Sequence, residues 1–372
     1  MSQAAGAVAG ANQETCQVYC RGQIYEGWTE VSVSASLQNG ASTCQLAITE
    51  PQQSSEQTAK WTDWQIKPGD PITVKLGGKL AFTGYVDVRQ AAFSQSQHGV
   101  QITARSNTQD PIDCSVVPDA GGGRYAGYTI DRIARSVLSP FGIALKTFGD
   151  MGRAFPVVQI MPGETVFELI ERLARQRGLY VHDDETGSMV LSGDQPTERM
   201  PALIEGQNIK SATGVLGAEG YSDTLVVMQQ ASDDHGTTEA ASQPHAKISN
   251  PNVKRYRPQI IVGEHPGDAD DAKQRAQQER SRLIAETAVV DAVVQGWFAS
   301  PDTLWKLRCV VRAKSPTLLV DQDLIIAGVE FRQSSDEGTT TNIHLITSAG
   351  LASYEQQSGD PNGGSNPGSY ES

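Results

Sequence analysis

The sequence predicts a mainly β protein with α+β insertions, built from two similar small β-barrel domains, an α+β domain and an inserted helix. Three observations predict it. First, the segment from Val86 to Ile102 reappears without a gap as Val329 to Leu345. Val86, Arg89 and Gln90 then meet Val329, Arg332 and Gln333, while Val100 and Ile102 meet Ile343 and Leu345. In both copies, strands with apolar residues at every second position flank a polar turn, as in a hairpin with one buried face, and a repeated unit of this kind points to internal duplication. Second, the strand period fills the chain from Cys16 to Arg105 and returns from Ile209. Third, two runs with helical spacing lie between those stretches.

Taken in order, Met1 to Thr15 is rich in Ala, Gly and Gln, with neither a basic start nor an apolar core, and reads as a flexible arm (1–15) rather than a signal peptide. Val31, Val33 and Ala35 alternate with serines, Asn39-Gly40 offers turn chemistry, and Cys44, Leu46 and Ile48 alternate again. Pro68-Gly69-Asp70 introduces Ile72, Val74 and Leu76; Gly77-Gly78 turns the chain into Leu80, Phe82 and the first copy of the hairpin. Some six strands with almost no helix give a first barrel over 16–109.

The pattern changes at Asp110. Gly121-Gly122-Gly123 forms a flexible bridge, and Ile130, Ile133, Ala134, Val137 and Leu138 recur at helical spacing until Ser139-Pro140. A second helix opens on a capping box of Thr165 and Glu168, buries Val166, Leu169, Ile170 and Leu173, and spaces Glu168/Arg172 and Glu171/Arg175 for ion pairs before Gly178. Leu179 to Val181 and Ser188 to Leu191 are short strands, completing an α+β domain over 110–205. The second barrel, 206–354, starts from Ile209, carries a polar loop at 231–250 and a charged helix at 269–287, and continues through Val289 to Val294 and Trp305 to Val311 into the second hairpin copy. A Gly-, Pro- and Ser-rich flexible tail occupies 355–372.

A chain of 372 residues exceeds the roughly 250–300 at which a single core stops growing. The net charge of −13 argues against a surface that grips nucleic-acid phosphates. No apolar run of about 18 residues is present, so no membrane anchor is expected. Five scattered cysteines, Cys16, Cys20, Cys44, Cys114 and Cys309, read as reduced and mostly buried thiols.

Catalytic and metal signatures are sparse. Gly121 to Ala126 matches a G-x-G-x-x-A string, but no buried strand and no βαβ unit surround it. His182-Asp183-Asp184-Glu185 gathers metal-capable side chains that point to alternate faces beside the Thr186-Gly187 turn, which favours a solvated hairpin tip. Asp268, Asp270 and Asp271 open like a calcium loop, yet Ala272 replaces the third ligand, so helix N-terminal charge explains them better. Cys16 and Cys20 lack a partner pair at zinc spacing. Trp28, Trp61, Trp64, Trp297 and Trp305 favour core and interface packing over a sugar groove. No catalytic, cofactor or metal residues are assigned, and no cofactor is expected.

Gly27-Trp28, Pro68-Gly69-Asp70, Thr83-Gly84-Tyr85-Val86, the Asp110 to Ser115 segment, Phe141-Gly142-Ile143, Gly163 to Glu168, Gly296-Trp297 and Leu304-Trp305 follow one another in an order that resembles the baseplate hub proteins of contractile-tailed phages, especially the Mu-like tail hub family. The resemblance spans roughly residues 16 to 354. It implies a non-enzymatic homotrimer in the virion tail baseplate, synthesised in the host cytoplasm. In it three chains with two barrels each imitate six-fold symmetry and join a six-fold tail tube to a three-fold central spike around a DNA channel. Implied partners are the spike, the tail tube or tube-terminal protein and the baseplate wedge proteins, with the tape measure protein as a further candidate; no specific nucleic-acid binding is implied. The acidic balance suits such a conduit if acidic side chains line it. Gly163-Glu164-Thr165 also resembles the start of a LysM-like repeat, so the alternative is a tail-associated module that binds peptidoglycan or hydrolyses cell wall.

Overall fold

The computed structural model describes residues 14–51, 66–93, 97–118, 123–177, 179–193, 195–216, 221–229, 245–250, 253–266, 272–273, 275–276 and 288–348. Most of the expected arm and polar loop, the whole expected tail, Gly121-Gly122, Trp61, Trp64, Asp268, Asp270 and Asp271 lie outside them. Of the expected helix 269–287, residues 272–273 and 275–276 are described and helical, and Ala272 and Ala276 pack on Val226.

The chain is mainly β. The first part contributes β1 (Cys16–Cys20), β2 (Gln23–Tyr25), β3 (Glu30–Ser36), β4 (Thr43–Pro51), β5 (Pro71–Leu76), β6 (Lys79–Phe93) and β7 (Gln97–Ser106). An α+β portion follows, with α1 (Gln109–Asp113), β8 (Arg124–Tyr125), α2 (Ile130–Leu138), β9 (Leu145–Phe148), β10 (Val158–Gln159), α3 (Val166–Arg175), β11 (Tyr180–Asp183) and β12 (Met189–Ser192). The remainder holds β13 (Leu203–Ile204), β14 (Ile209–Leu216), β15 (Asp223–Gln229), β16 (His245–Ser249), β17 (Pro258–Pro266), β18 (Ala288–Gln295), β19 (Phe298–Ser300), β20 (Thr303–Leu304), β21 (Val310–Ser315), β22 (Val320–Ser334) and β23 (Gly338–Ile346). Among the described residues no helix is long and apolar enough to cross a membrane.

The internal echo has a structural counterpart. Five strands lie in the order β3-β4-β7-β6-β5, and five later ones lie in the order β14-β18-β23-β22-β21. Both units centre on a 15-residue strand, β6 or β22. Against its hairpin partner each strand carries a bulge, at Asp87 opposite β7 and at Ala327 opposite β23, and a bulge shifts every following side chain to the other face. Superposing the bulges makes Val86 the counterpart of Ile326 rather than Val329, and Ile102 the counterpart of Ile343 rather than Leu345. The flanking backbone agrees. The Gly69 N–H donates to the Val86 carbonyl (2.7 Å) and the Val86 N–H to that of Asp70 (3.0 Å), as the Arg308 N–H donates to Ile326 (2.9 Å) and the Ile326 N–H to Cys309 (3.0 Å). Gly69 and Arg308 both have positive φ, 85° and 57°. The duplication is real in topology, and the sequence match was out of register.

The two units are not separate. Antiparallel pairing of β22 with β3, from Gly328 opposite Ser36 to Gln333 opposite Val31, fuses them into a 13-stranded sheet. Among the described residues the strand order does not return to its start. The two barrels expected from the sequence are therefore seen here as units fused edge to edge rather than individually closed. One hydrophobic cluster draws on both, joining Val33, Leu46, Val74 and Val86 to Val290, Val311, Leu324 and Ile343. Trp28, Trp297 and Trp305 are buried in it, and the Trp297 Nε1–H donates to the Arg332 carbonyl (3.0 Å).

The α+β portion has its own core, where Ile130, Ile133 and Leu138 of α2 meet Leu169, Ile170 and Leu173 of α3. The capping box forms as read: the Glu168 N–H donates to Thr165 Oγ1 (3.1 Å) and the Thr165 N–H to Glu168 Oε2 (2.8 Å). That occupies Glu168, so Arg172 pairs with Glu164 (2.7 Å) instead of the expected Glu168. The expected Glu171–Arg175 pair is present at 2.5 Å.

Candidate functional site

In β3, Val31 and Val33 enter the core while Ser32 and Ser34 point the other way, because strand side chains alternate. The same alternation in β4, β7 and β22 brings Thr43, Gln45, Gln101, Glu330 and Arg332 beside those serines, lining an open groove of about 530 Å³. A second groove of about 440 Å³ continues from Ser34 and Glu330 to Asn342, His344 and Asp291. A polar face thus runs across the seam where the two units fuse.

Its charges are matched only in part, since three carboxylates, Glu30, Glu330 and Glu337, face one guanidinium, Arg332. Glu330 accepts from Ser32 Oγ (2.9 Å) and Asn342 Nδ2 (3.1 Å) and pairs with Arg332 Nε (2.8 Å). His344 Nδ1 lies 2.6 Å from Asp291. Farther along, Arg105 bridges Asp87 (2.5 Å) and Asp113 (2.6 Å). A face of hydroxyls, amides and paired charges can hydrogen-bond and stay wet. Its surplus of carboxylates leaves it net acidic, which repels a polyanion.

A second polar cluster ties the α+β portion to the first unit, and it contains the His182–Glu185 run. The expected solvated tip forms only in part: Glu185 and Thr186 are exposed, whereas His182 and Asp183 are 6% and 1% exposed. Asp183 accepts from the Ser42 N–H (2.7 Å) and Oγ–H (2.8 Å), and Thr83 Oγ1 donates to the Glu185 carbonyl (2.9 Å). Asp184 folds the turn by accepting from the Thr186 and Ser188 N–H groups (3.0 and 3.2 Å) and pairs with Lys146. Burial pushes the Asp183 carboxyl up to about 6 and the His182 imidazole down to about 4. These residues dock elements rather than gather around a ligand.

The other sequence candidates disperse. Cys16 and Cys20 are buried on β1, in the core of the first unit. Cys44 and Cys309 are also buried, and Cys114 is exposed. Glu164 of the LysM-like string is buried and held by Arg172 and by the Met161 N–H (3.0 Å). Sequence reasoning missed the polar face, although the Ser32/Ser34 and Thr43/Gln45 alternation was its visible trace.

Comparison with known proteins gives consistent matches along the chain. Residues 15–106 match the N-terminal domain of the Mu phage baseplate assembly protein GpP-like family, residues 108–193 the second domain of baseplate hub protein gp44-like proteins, and residues 268–353 the fourth domain of the Mu GpP family. The chain is 26% identical over 363 residues to baseplate hub protein gp44 of Escherichia phage Mu, covering 92% of each chain. A 43 kDa tail protein of prophage MuSo2 from Shewanella oneidensis is similar in structure, with TM-score 0.78, 29% identity and coverage of 91% of this chain and 99% of that one. A tail protein from Neisseria meningitidis MC58 shares the fold at TM-score 0.72 and 16% identity, covering 92% and 98%.

Proposed function

Because the chain belongs to the Mu-like baseplate hub family and is a hub protein of the phage tail baseplate, we propose that three copies close into a ring and present six similar β units around a central passage. The observation that carries this reading is the pair of equivalent five-strand units fused through β22 and β3. Two alike units per subunit let a trimer meet a six-fold tail tube on one side and a three-fold spike on the other, with wedge proteins outside. Cyclic closure uses head-to-tail contacts, second unit to first.

Within this reading the polar face turns toward the passage. Its serine, threonine and glutamine side chains and its surplus of carboxylates, Glu30, Glu330 and Glu337 against Arg332, support the acidic lining expected from the net charge and leave DNA little to adhere to. The role is structural and needs no catalysis. The division into a first β domain (16–109), an α+β domain (110–205) and a second β domain (206–354) belongs to the same proposal, the middle domain standing on the outside of the ring.

Sedimentation of the purified full chain, alone and with its spike, tests the reading. A trimer is expected. A monomer in both samples up to the highest attainable concentration overturns it.

A further inference from the structure

The seam inside the chain specifies the seam between chains. β22 is flanked on one side by β21 over its first half and by β3 over its second, where Gly328–Gln333 pairs with Ser36–Val31. Its counterpart β6 is flanked by β5 over its first half. Among the described residues, no strand pairs with the same side of Val88–Ala92 beyond the bulge. β3 likewise has a counterpart, β14, which pairs with β18 as β3 pairs with β4, and among the described residues β14 ends the sheet. Among the described residues one chain therefore carries two edges without a partner strand, and these correspond to the two edges already joined at its own seam.

We propose that β14 of one protomer adds antiparallel to the second half of β6 of the next, with Gln90 opposite the neighbour's Val215 and Ala92 opposite its Thr213. The register is transferred from the internal seam, where Glu330 faces Ser34 and Arg332 faces Ser32. It rests on the ring reading above and names the surface that closes the ring. Exposed apolar side chains mark both edges: Val88 is 56%, Val215 61% and Leu216 47% exposed in the single chain. In this register Val88 and Val215 become diagonal neighbours on one face. Pairing also satisfies two rows of backbone donors and acceptors that would otherwise invite aggregation. Each chain has one edge of each kind, so a closed ring leaves neither open.

Cysteine pairs test the register. At the internal seam the Leu37 N–H donates to the Ala327 carbonyl (2.8 Å), so Arg332 with Ser32, an odd number of places on, falls among the non-hydrogen-bonded pairs, whose Cα atoms approach to about 4.5 Å and suit a disulfide. The full chain carrying Ala92→Cys and Thr213→Cys, in a Cys114→Ser background, is expected to give covalent dimers and trimers on mild oxidation. An Ala91→Cys/Thr213→Cys control, whose thiols fall on opposite faces, is expected to give none. β14 and β6 lie seven strands apart along the sheet, and a non-reducing gel distinguishes a bond within one chain, which keeps the monomer mass, from one between chains. Mass measured on the same samples separates the two readings. A trimer without cross-links, or with equal cross-linking in the control, overturns the junction alone. A monomer at every concentration overturns the ring and the junction together.

Discussion

Asp183 shows how one side chain can carry the joint between two parts of a chain. Its carboxyl is pushed up from 3.8 to about 6 by burial, against the bonds from Ser106 and Ser42 that favour the charged form. With the folded value above the unfolded one, its contribution to stability is fully present below about 3.8 and is lost as pH rises through about 6. His182 has the opposite sign: burial lowers it to about 4, so its contribution is present above 6.5 and lost as pH falls. The two partly cancel in the native protein. In Asp183→Asn one of the two oxygens that accept from Ser42 remains, a loss that does not vary with pH, and the titration goes. The stability of the native chain relative to this variant should therefore grow as pH drops from 6.5 to 4, by up to about 3 kcal/mol, read from urea midpoints at each pH. A flat difference would show that Asp183 titrates as an exposed acid. The sequence made this turn legible as a turn, through Asp184 and Gly187, but not as a buried one, because Ser42 lies 141 positions away and no local pattern registers that contact.

At the scale of single elements, the close approach of β6 to β7 sets a hard limit on one residue. A Cβ placed on Gly84 would lie 2.1 Å from the Arg105 carbonyl oxygen and 2.7 Å from the Ser106 Cα, both backbone atoms, so the strands would have to separate. Gly84→Ala is expected to cost about 3 kcal/mol. Gly99→Ala, in the same hairpin with nothing within 4 Å of the added atom, should stay within about 0.5 kcal/mol. Chemical denaturation of both variants checks the contrast, and equal losses would mean that β6 and β7 are not paired as described. Elements of this kind were largely readable: the alternation of Ile72, Val74 and Leu76 gave β5, and the Thr165/Glu168 box gave α3. The match between Val86 and Val329 found the right strands in the wrong register, because the extra residue at Asp87 and at Ala327 reverses the alternation midway. An unbroken sequence alignment does not see a bulge. The parallel pairing of β15 with β17 also escaped, since which strands become neighbours is not written in the period of either.

For the whole molecule, the doubling was legible and its consequence was not. Two similar units could have stood apart; the seam between β22 and β3 joins positions some three hundred residues distant, and only the assembled sheet shows that, among the described residues, the corresponding edges of β14 and β6 carry no partner strand. If β14 and β6 of neighbouring protomers complete it, Val88 and Val215 can be converted into a charge pair. Both are exposed in the single chain, so Val88→Glu and Val215→Lys should each fold normally. Each alone sets an unmatched charge beside an apolar neighbour on the wet polar face and should weaken the trimer by no more than about fivefold. Combined in one chain, they set a glutamate diagonal to a lysine at all three junctions, within reach of long side chains across antiparallel strands, and trimer stability should recover most of the loss. Sedimentation equilibrium of the native, single and double variants measures this coupling directly. If the double variant is no more trimeric than the weaker single one, the two residues do not meet, and the edges that close the ring lie elsewhere on the sheet.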